Sequence, residues 1–186
     1  MTLDAPLAAP LVDAHAHTWS REFEGDYEQT IARAWETGLS AIVEVGTDSE
    51  TSLRALALAQ ADPRVYAVGG LHPHEAKRLP EEQAALRALL EGGDFVAVGE
   101  IGLDRTGRVR TAADLQRAQL RRGLEIANAA ALPVILHIVG WHGHALRELR
   151  ALPPLAGGVV HRFGGSFDSI GAYMELGLHL SIDVIA

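Results

Sequence analysis

Short apolar runs alternate with longer amphipathic stretches along most of the chain. Seven runs have the length and the near-continuous apolar character of buried strands, at 11–16, 40–45, 65–71, 95–101, 133–138, 158–161 and 178–182. Helical periodicity between them predicts six helices, near 26–37, 50–60, 81–90, 112–131, 144–152 and 167–176. Strands and helices that alternate in this way form a parallel sheet covered by helices. The pattern therefore predicts an α/β fold.

Several residues in this pattern are expected to have purely structural roles. An apolar stripe on the fourth predicted helix, which indicates core packing, consists of Leu115, Leu120, Leu124 and Ile126. Ser49 is predicted to cap the second helix. Glu44 and Asp48, near the end of the second strand, are interpreted as ordinary loop and cap residues.

Length and composition limit the class of protein. The 186 residues, 48% of them hydrophobic, predict a single domain over 1–186 with a substantial core. The absence of cysteine excludes disulfides and thiolate ligands, so any metal must be bound by His, Asp or Glu. Residues 1–10 do not resemble a secretory signal, and no apolar run approaches membrane-spanning length. We therefore expect a cytoplasmic protein that does not bind membranes.

The formal net charge of -8 argues against a broad nucleic-acid-binding surface, which is normally basic. It does not exclude a small nuclease site, because bound divalent ions supply local positive charge.

Polar groups that could bind metal lie where the predicted strands end. His15 and His17 close the first strand, and since strand residues two apart share a face, their imidazoles point the same way. The others are His72 and His74 after strand three, Glu100 and Asp104 closing strand four, His137 ending strand five and His161 ending strand six. A β/α barrel builds its active site at this end of the strands, whereas a doubly wound sheet has a single crevice. Groups on five strands therefore predict a TIM-type (β/α) barrel.

The ligand types indicate the chemistry of this cluster. Histidines and carboxylates without sulfur suit zinc, manganese or similar ions. The set is larger than one catalytic ion needs, and consists of His15, His17, Glu100, His137 and His161. Two divalent ions roughly 3.5–4 Å apart could share these ligands, with Glu100 as the bridge. Such a pair can hold a phosphodiester and generate hydroxide from bound water.

Five stretches in the chain carry a family resemblance. They are VDAHAH at 12–17, GLHPHE at 70–75, GEIGLD at 99–104, LPVILH at 132–137 and GVVHRFGGS at 158–166. In this order they resemble the motifs of the TatD-type metal-dependent hydrolases, a family of deoxyribonucleases among the amidohydrolase-like barrels. The resemblance covers nearly the whole chain, and the GEIGLD stretch is its most specific part.

The resemblance implies a role for each matching residue. His15 and His17 would hold one ion, His137 and His161 the other, and Glu100 both. His72 would lie near the substrate phosphate or the ions, and Arg162 would contact phosphate. Asp104 would support catalysis beside Glu100 or face the substrate. The implied activity is hydrolysis of DNA phosphodiester bonds from an end, with metal-activated water as the nucleophile and zinc, manganese or magnesium as the ion.

The chain departs from the family pattern at its end. Family members carry a further aspartate ligand on an eighth strand, whereas this sequence stops at Ala186, just after the predicted seventh strand. Asp183 is the only late carboxylate, and it would lie on strand seven. A barrel of eight strands typically needs ~250 residues. We therefore expect an incomplete barrel of about seven β/α units, lacking the closing C-terminal unit, with a homo-oligomer as one way to cover its exposed edges.

Two other functions are compatible with these residues. The chain could be a catalytically weakened metal-binding protein of the same fold, because the loss of one ligand can empty one ion position. It could also hydrolyse a different small ester, amide or phosphate compound, because fold and ligands do not fix the substrate. His142, His144 and His179 are expected to be structural.

Overall fold

The computed structural model describes residues 10–106 and 112–182. Within them, seven parallel strands form one sheet in chain order: β1 (Leu11–Ala16), β2 (Leu39–Val45), β3 (Val65–Gly69), β4 (Phe95–Asp104), β5 (Val134–Val139), β6 (Gly158–His161) and β7 (Leu178–Leu180). The helices are α1 (Tyr27–Glu36), α2 (Ser49–Ala61), α3 (Leu79–Gly92), α4 (Ala113–Ala130), α5 (His142–Arg150) and α6 (Phe167–Met174). Short 3-10 helices cover Arg21–Phe23 and Pro73–Arg78. The predicted α/β architecture is confirmed as a parallel β/α half-barrel with β1 and β7 at the ends of the sheet.

The two faces of the sheet are packed differently. One buried cluster takes a single apolar side chain from each of β2, β3, β4 and β5, and it consists of Val45, Val68, Ala97 and Ile135. A larger cluster mixes strand and helix side chains, including Val98 of β4 with Leu120 and Leu124 of α4. Because successive strand residues point to opposite faces, the first cluster marks the inner face of the half-barrel and the second marks the face covered by helices.

Strand β4 is longer than its apolar run predicted, and it ends at Asp104 rather than at residue 101. Leu103 and Asp104 continue the parallel pairing with β5. In addition, the buried Gln116 side chain accepts the backbone N–H of Asp104 at 2.7 Å and donates to the Asp104 carbonyl at 3.1 Å. This amide satisfies both backbone groups of the last strand residue. Glu100 therefore lies inside the strand, and Asp104 closes it.

The predicted helix cap at Ser49 is wrong by one residue. The N-cap of α2 is Asp48, whose carboxylate accepts the backbone N–H of Thr51 at 2.8 Å. The Thr51 hydroxyl accepts the Asp48 N–H in return, which completes a capping box. The cap role expected for Asp48 is confirmed.

The apolar stripe on α4 is only partly buried. Leu120, Leu124 and Ile126 belong to the core, as predicted, but Leu115 is 42% exposed. Leu115 lies in the first turn of α4, next to Gln116, whose side chain is the one directed to β4. The core prediction for Leu115 is therefore wrong.

Leu120 and Leu115 form a matched pair for a test of core packing. Leu120→Ala should lower the free energy of unfolding by about 2–5 kcal/mol, because it opens a cavity at a fully buried position. Leu115→Ala, in the same helix, should cost less than about 1 kcal/mol, as surface substitutions usually do. Urea denaturation followed by circular dichroism measures both, and equal losses would contradict the packing described here.

Within 10–106 and 112–182, the structure contains no helix that is both long enough and apolar enough to cross a membrane.

Candidate metal centre

A cavity of about 850 Å³ opens at the carboxyl ends of the strands. All eight residues that the sequence singled out line it: His15, His17, His72, Glu100, Asp104, His137, His161 and Arg162. They come from β1, β4, β5 and β6 and from the segments that follow β1, β3 and β6. His74, which the sequence placed at the end of strand three without assigning it a role, also lines the cavity, as do Thr106 and Ser181, which the sequence did not single out. The structure therefore brings the whole predicted set to one space.

The buried carboxylate of Glu100 lies at the centre of this set. Its Oε1 is 2.7 Å from His137 Nδ1 and 3.8 Å from His72 Nε2. Its Oε2 is 3.5 Å from His15 Nε2 and 3.7 Å from His17 Nε2. The two oxygens therefore face two different pairs of histidines.

These contacts define two groups that could each hold a divalent metal ion. One consists of His15, His17 and Glu100, and the other of His72, Glu100 and His137; in each, the candidate ligand atoms lie within 4.8 Å of one another. Nitrogen and carboxylate donors in this combination are typical of zinc, manganese and related ions.

The first group is held in a ligand-competent arrangement by hydrogen bonds and stacking. His17 Nδ1 donates to the carbonyl of Val45 at 2.7 Å, so that Nε2 carries a free lone pair directed toward His15 Nε2, 3.2 Å away. The His161 ring stacks on His15 with ring centroids 3.6 Å apart. The buried His15 Nδ1 has no hydrogen-bond partner among the described residues. Imidazole nitrogens that face each other beside a carboxylate fit a cation between them.

The second group is extended by Asp104. His137 presents Nδ1 to Glu100 and Nε2 to Asp104 Oδ2, at 3.2 Å. His72 Nε2 lies 3.3 Å from His137 Nδ1, and His74 Nε2 lies 3.5 Å from Asp104 Oδ2. This grouping differs from the one that the family resemblance implied, since His72 accompanies His137 while His161 stacks on His15.

The electrostatics of the cavity favour ligand-competent protonation states for Glu100, His72 and His161. Burial opposes ionisation of Glu100, but hydrogen bonds with His137 and His15 outweigh it and lower its pKa far below the usual range. Burial lowers the pKa of His72 to about 3, and burial together with His15 lowers that of His161 to about 4. Burial would also lower the pKa of His137, but its contacts with Glu100 and Asp104 raise it. At neutral pH the carboxylate is therefore ionised, and His72 and His161 are neutral, as metal binding requires.

The structure corrects the interpretation of Glu44 as a loop residue. Glu44 lies within β2, is fully buried, and accepts hydrogen bonds from the backbone N–H and the hydroxyl of Thr18. The sequence did contain a signal for this buried position, because Glu44 is a charged residue inside the apolar run IVEV. The structural role expected for His142 agrees with its contact to the Tyr173 hydroxyl at 3.1 Å. Asp183 lies outside the described residues.

A parallel β/α half-barrel with histidines and carboxylates gathered at the carboxyl ends of its strands defines the class of metal-dependent hydrolases. Within that class, the chain belongs to the TatD related DNase family, whose model matches residues 12–186. The resemblance seen in the motifs is confirmed, and so is the TIM-type fold.

Curated relatives support this assignment. The protein of Edwardsiella piscicida named 3'-5' ssDNA/RNA exonuclease TatD is 38% identical over 175 residues, which cover 92% of this chain and 67% of the relative. The Salmonella typhimurium protein of the same name is 30% identical over 174 residues, which cover 92% of this chain and 66% of that relative. This chain spans about two thirds of the length of these relatives.

Solved structures show the same fold. The Escherichia coli K12 TatD homologue YJJV superposes with a TM-score of 0.82 at 34% identity, over 91% of this chain and 66% of that one. A TatD family hydrolase from Entamoeba histolytica superposes with a TM-score of 0.80 at 20% identity, over 95% and 66% of the two chains.

Proposed function

We propose that the chain is a two-metal nuclease that hydrolyses phosphodiester bonds of single-stranded DNA from an end. The observation that carries the proposal is the position of the Glu100 carboxylate between two pairs of histidines. A carboxylate shared by two ions is the arrangement that two-metal phosphodiesterases use. The names of the curated relatives, which include single-stranded DNA and RNA as substrates, favour the same substrate class and 3'-to-5' direction for this chain.

Each ion would be held by residues that are already close together. His15 and His17 with Oε2 of Glu100 would bind one, and His72 and His137 with Oε1 would bind the other. His161, stacked on His15, borders the first group in the structure, although the family resemblance assigns it to the second ion with His137. Bound zinc, manganese or magnesium would neutralise phosphate charge and lower the pKa of a bound water.

The protein residues around the ions would accept and transfer protons. Asp104 is fixed by the backbone N–H of Thr106 at 2.7 Å and by Gln116 on its own backbone. Burial raises the pKa of Asp104, but hydrogen bonds with Thr106 and His137 lower it overall, so the carboxylate is ionised. An ionised Asp104 beside His74 and His137 can accept a proton within the cavity.

Substrate binding would use the rim of the same cavity. Arg162 follows β6 directly, and its backbone N–H donates to Ser181 Oγ at 2.8 Å, which fixes the point where the side chain leaves the main chain. A guanidinium there matches a phosphate oxygen of a strand entering the cavity. His72 lines the same cavity, with its Nε2 3.8 Å from Glu100 Oε1, and would contact the phosphate or an ion.

The direct test uses the metal-free protein and single-stranded DNA labelled at either the 5' or the 3' end. We expect no cleavage without metal, and stepwise shortening from the 3' end after addition of Mg²⁺, Mn²⁺ or Zn²⁺. Ion binding without cleavage of DNA or RNA would support the weakened metal-binding alternative. Cleavage of a small phosphate ester alone would support the other alternative, a hydrolase that acts on a small ester, amide or phosphate compound.

The single domain over 1–186, the cytoplasmic location and the homo-oligomer stay predictions. Size-exclusion chromatography with light scattering tests the last of these.

A further inference from the structure

Glu44 is a buried carboxylate on the side of the sheet opposite the candidate metal centre. It is 0% exposed, and the next residue, Val45, belongs to the cluster on the inner face of the half-barrel. Alternation along β2 therefore directs Glu44 toward the face covered by helices. Within 10–106 and 112–182, no lysine, arginine or histidine forms an ion pair with it. An unpaired buried charge is costly unless hydrogen bonds satisfy it.

The hydrogen bonds to Glu44 come from the segment that follows His17. The backbone N–H of Thr18 donates to Oε2 at 3.0 Å, and the Thr18 hydroxyl donates to Oε1. Burial raises the pKa of Glu44, and the hydrogen bonds from Thr18 and from the backbone of Trp19 counteract this rise. Strand β1 ends at Ala16, which is paired with Glu44. The backbone pairing between β1 and β2 therefore ends at Ala16, and the Glu44 carboxylate hydrogen-bonds the chain just beyond that point.

The neighbouring residue of β2 holds the same segment from the other side. The carbonyl of Val45 accepts hydrogen bonds from His17 Nδ1 at 2.7 Å and from Trp19 Nε1 at 2.8 Å. Glu44 and Val45 thus contact three consecutive residues, 17 to 19, through hydrogen bonds from the His17 ring, the Thr18 backbone and hydroxyl, and the Trp19 ring. The bond to His17 Nδ1 determines the tautomer and leaves Nε2 as the ligand atom.

We infer that Glu44 is a positioning residue that, through Thr18 and Trp19, holds His17 in the orientation and tautomer needed to bind a metal ion. The inference rests on the proposed metal centre. Hydrogen bonds behind a ligand typically change metal affinity by 10–100-fold when they are removed, because the imidazole loses its fixed direction. Removal of the Glu44 carboxylate should therefore weaken metal binding by letting the segment around Thr18 move, and His17 with it.

The test compares Glu44→Ala with Glu44→Gln in the full chain. Mn²⁺ binding to the metal-free protein is measured by calorimetry and by the electron paramagnetic resonance signal of free Mn²⁺. We expect Glu44→Ala to weaken one class of Mn²⁺ sites by about 10–100-fold. Glu44→Gln should stay within about threefold of the unmodified protein, because its amide oxygen still accepts the Thr18 N–H.

A second measurement reads the imidazole directly and needs no metal. Nitrogen-detected NMR correlations of His17 should show a protonated Nδ1 in the unmodified protein and in Glu44→Gln. In Glu44→Ala the two tautomers should average. An unchanged His17 spectrum together with unchanged Mn²⁺ affinity would overturn the inference.

Leu149→Ala is the control for a merely structural role, because Leu149 is a buried residue of α5 outside the cavity. It should lower the melting temperature without changing Mn²⁺ affinity, and an equal loss of affinity in this variant would refute the role of Glu44. If Glu44→Ala does not fold, Thr18→Val removes one donor at a conserved volume and should give a smaller loss in the same direction. Failure of the unmodified protein to bind Mn²⁺ would instead reject the metal centre itself.

Discussion

Glu100→Gln should remove metal from the protein and reduce nuclease activity by about 10³-fold or more, because several kcal/mol of charge stabilisation are lost at tenfold per 1.36 kcal/mol. The carboxylate directs Oε1 to His137 and Oε2 to His15 and His17. An amide of the same shape has one oxygen and one NH₂ group, so it cannot offer an anionic oxygen to both groups. The measurements are kcat/KM on single-stranded DNA and ion content by elemental analysis.

Glu148→Gln is the matched control for this substitution. Glu148 of α5 is 3% exposed, as deeply buried as Glu100. Its carboxylate, however, binds Arg117 and Arg121 of the neighbouring helix α4. Loss of this ion pair should lower stability and leave the ion content and kcat/KM unchanged. If Glu100→Gln retained two ions per chain, the shared position of this carboxylate would be disproved.

The fold could be predicted from the sequence because its central strands, β3 to β5, are largely buried and therefore strongly apolar. Apolar runs such as the one ending at Val45 carry a strong signal, and the helices between them show regular amphipathic periodicity. The cluster of site residues could be predicted for a related reason. Parallel strands bring all their carboxyl ends to one rim, so that His15, His137 and His161 must converge without any knowledge of side-chain geometry.

The remaining details depend on contacts between residues far apart in sequence. Glu44 was interpreted as a loop residue because its partner, Thr18, lies 26 residues earlier and is not adjacent in any local pattern. The end of β4 depends on Gln116 of α4, twelve residues beyond Asp104. Local periodicity contains no information about such pairs, and it also cannot distinguish a buried stripe residue such as Leu120 from Leu115, which is exposed.

The division of the histidines between the two groups could not be predicted from the sequence either. Each histidine was placed correctly at the rim, but whether His72 or His161 accompanies His137 depends on side-chain directions. The rings of His15 and His161 stack at 3.6 Å, while His72 Nε2 approaches His137 Nδ1 at 3.3 Å. The strand positions alone are compatible with either grouping. Substitutions that affect one group and spare the other can therefore decide how the ions are held.

His17→Ala and His137→Ala should each remove about one ion per chain and lower kcat/KM by about 10²-fold or more, since each variant keeps one group of ligands intact and both ions act on one phosphate. His17 belongs only to the group around Oε2 of Glu100, and His137 only to the group around Oε1. His179→Ala is the control, because this exposed residue of β7 does not line the cavity. Saturating Mn²⁺ should partly restore His17→Ala, because His15 and Glu100 remain. The loss of both ions in either single variant would show that the two groups form one site, and the two-ion proposal would then fail.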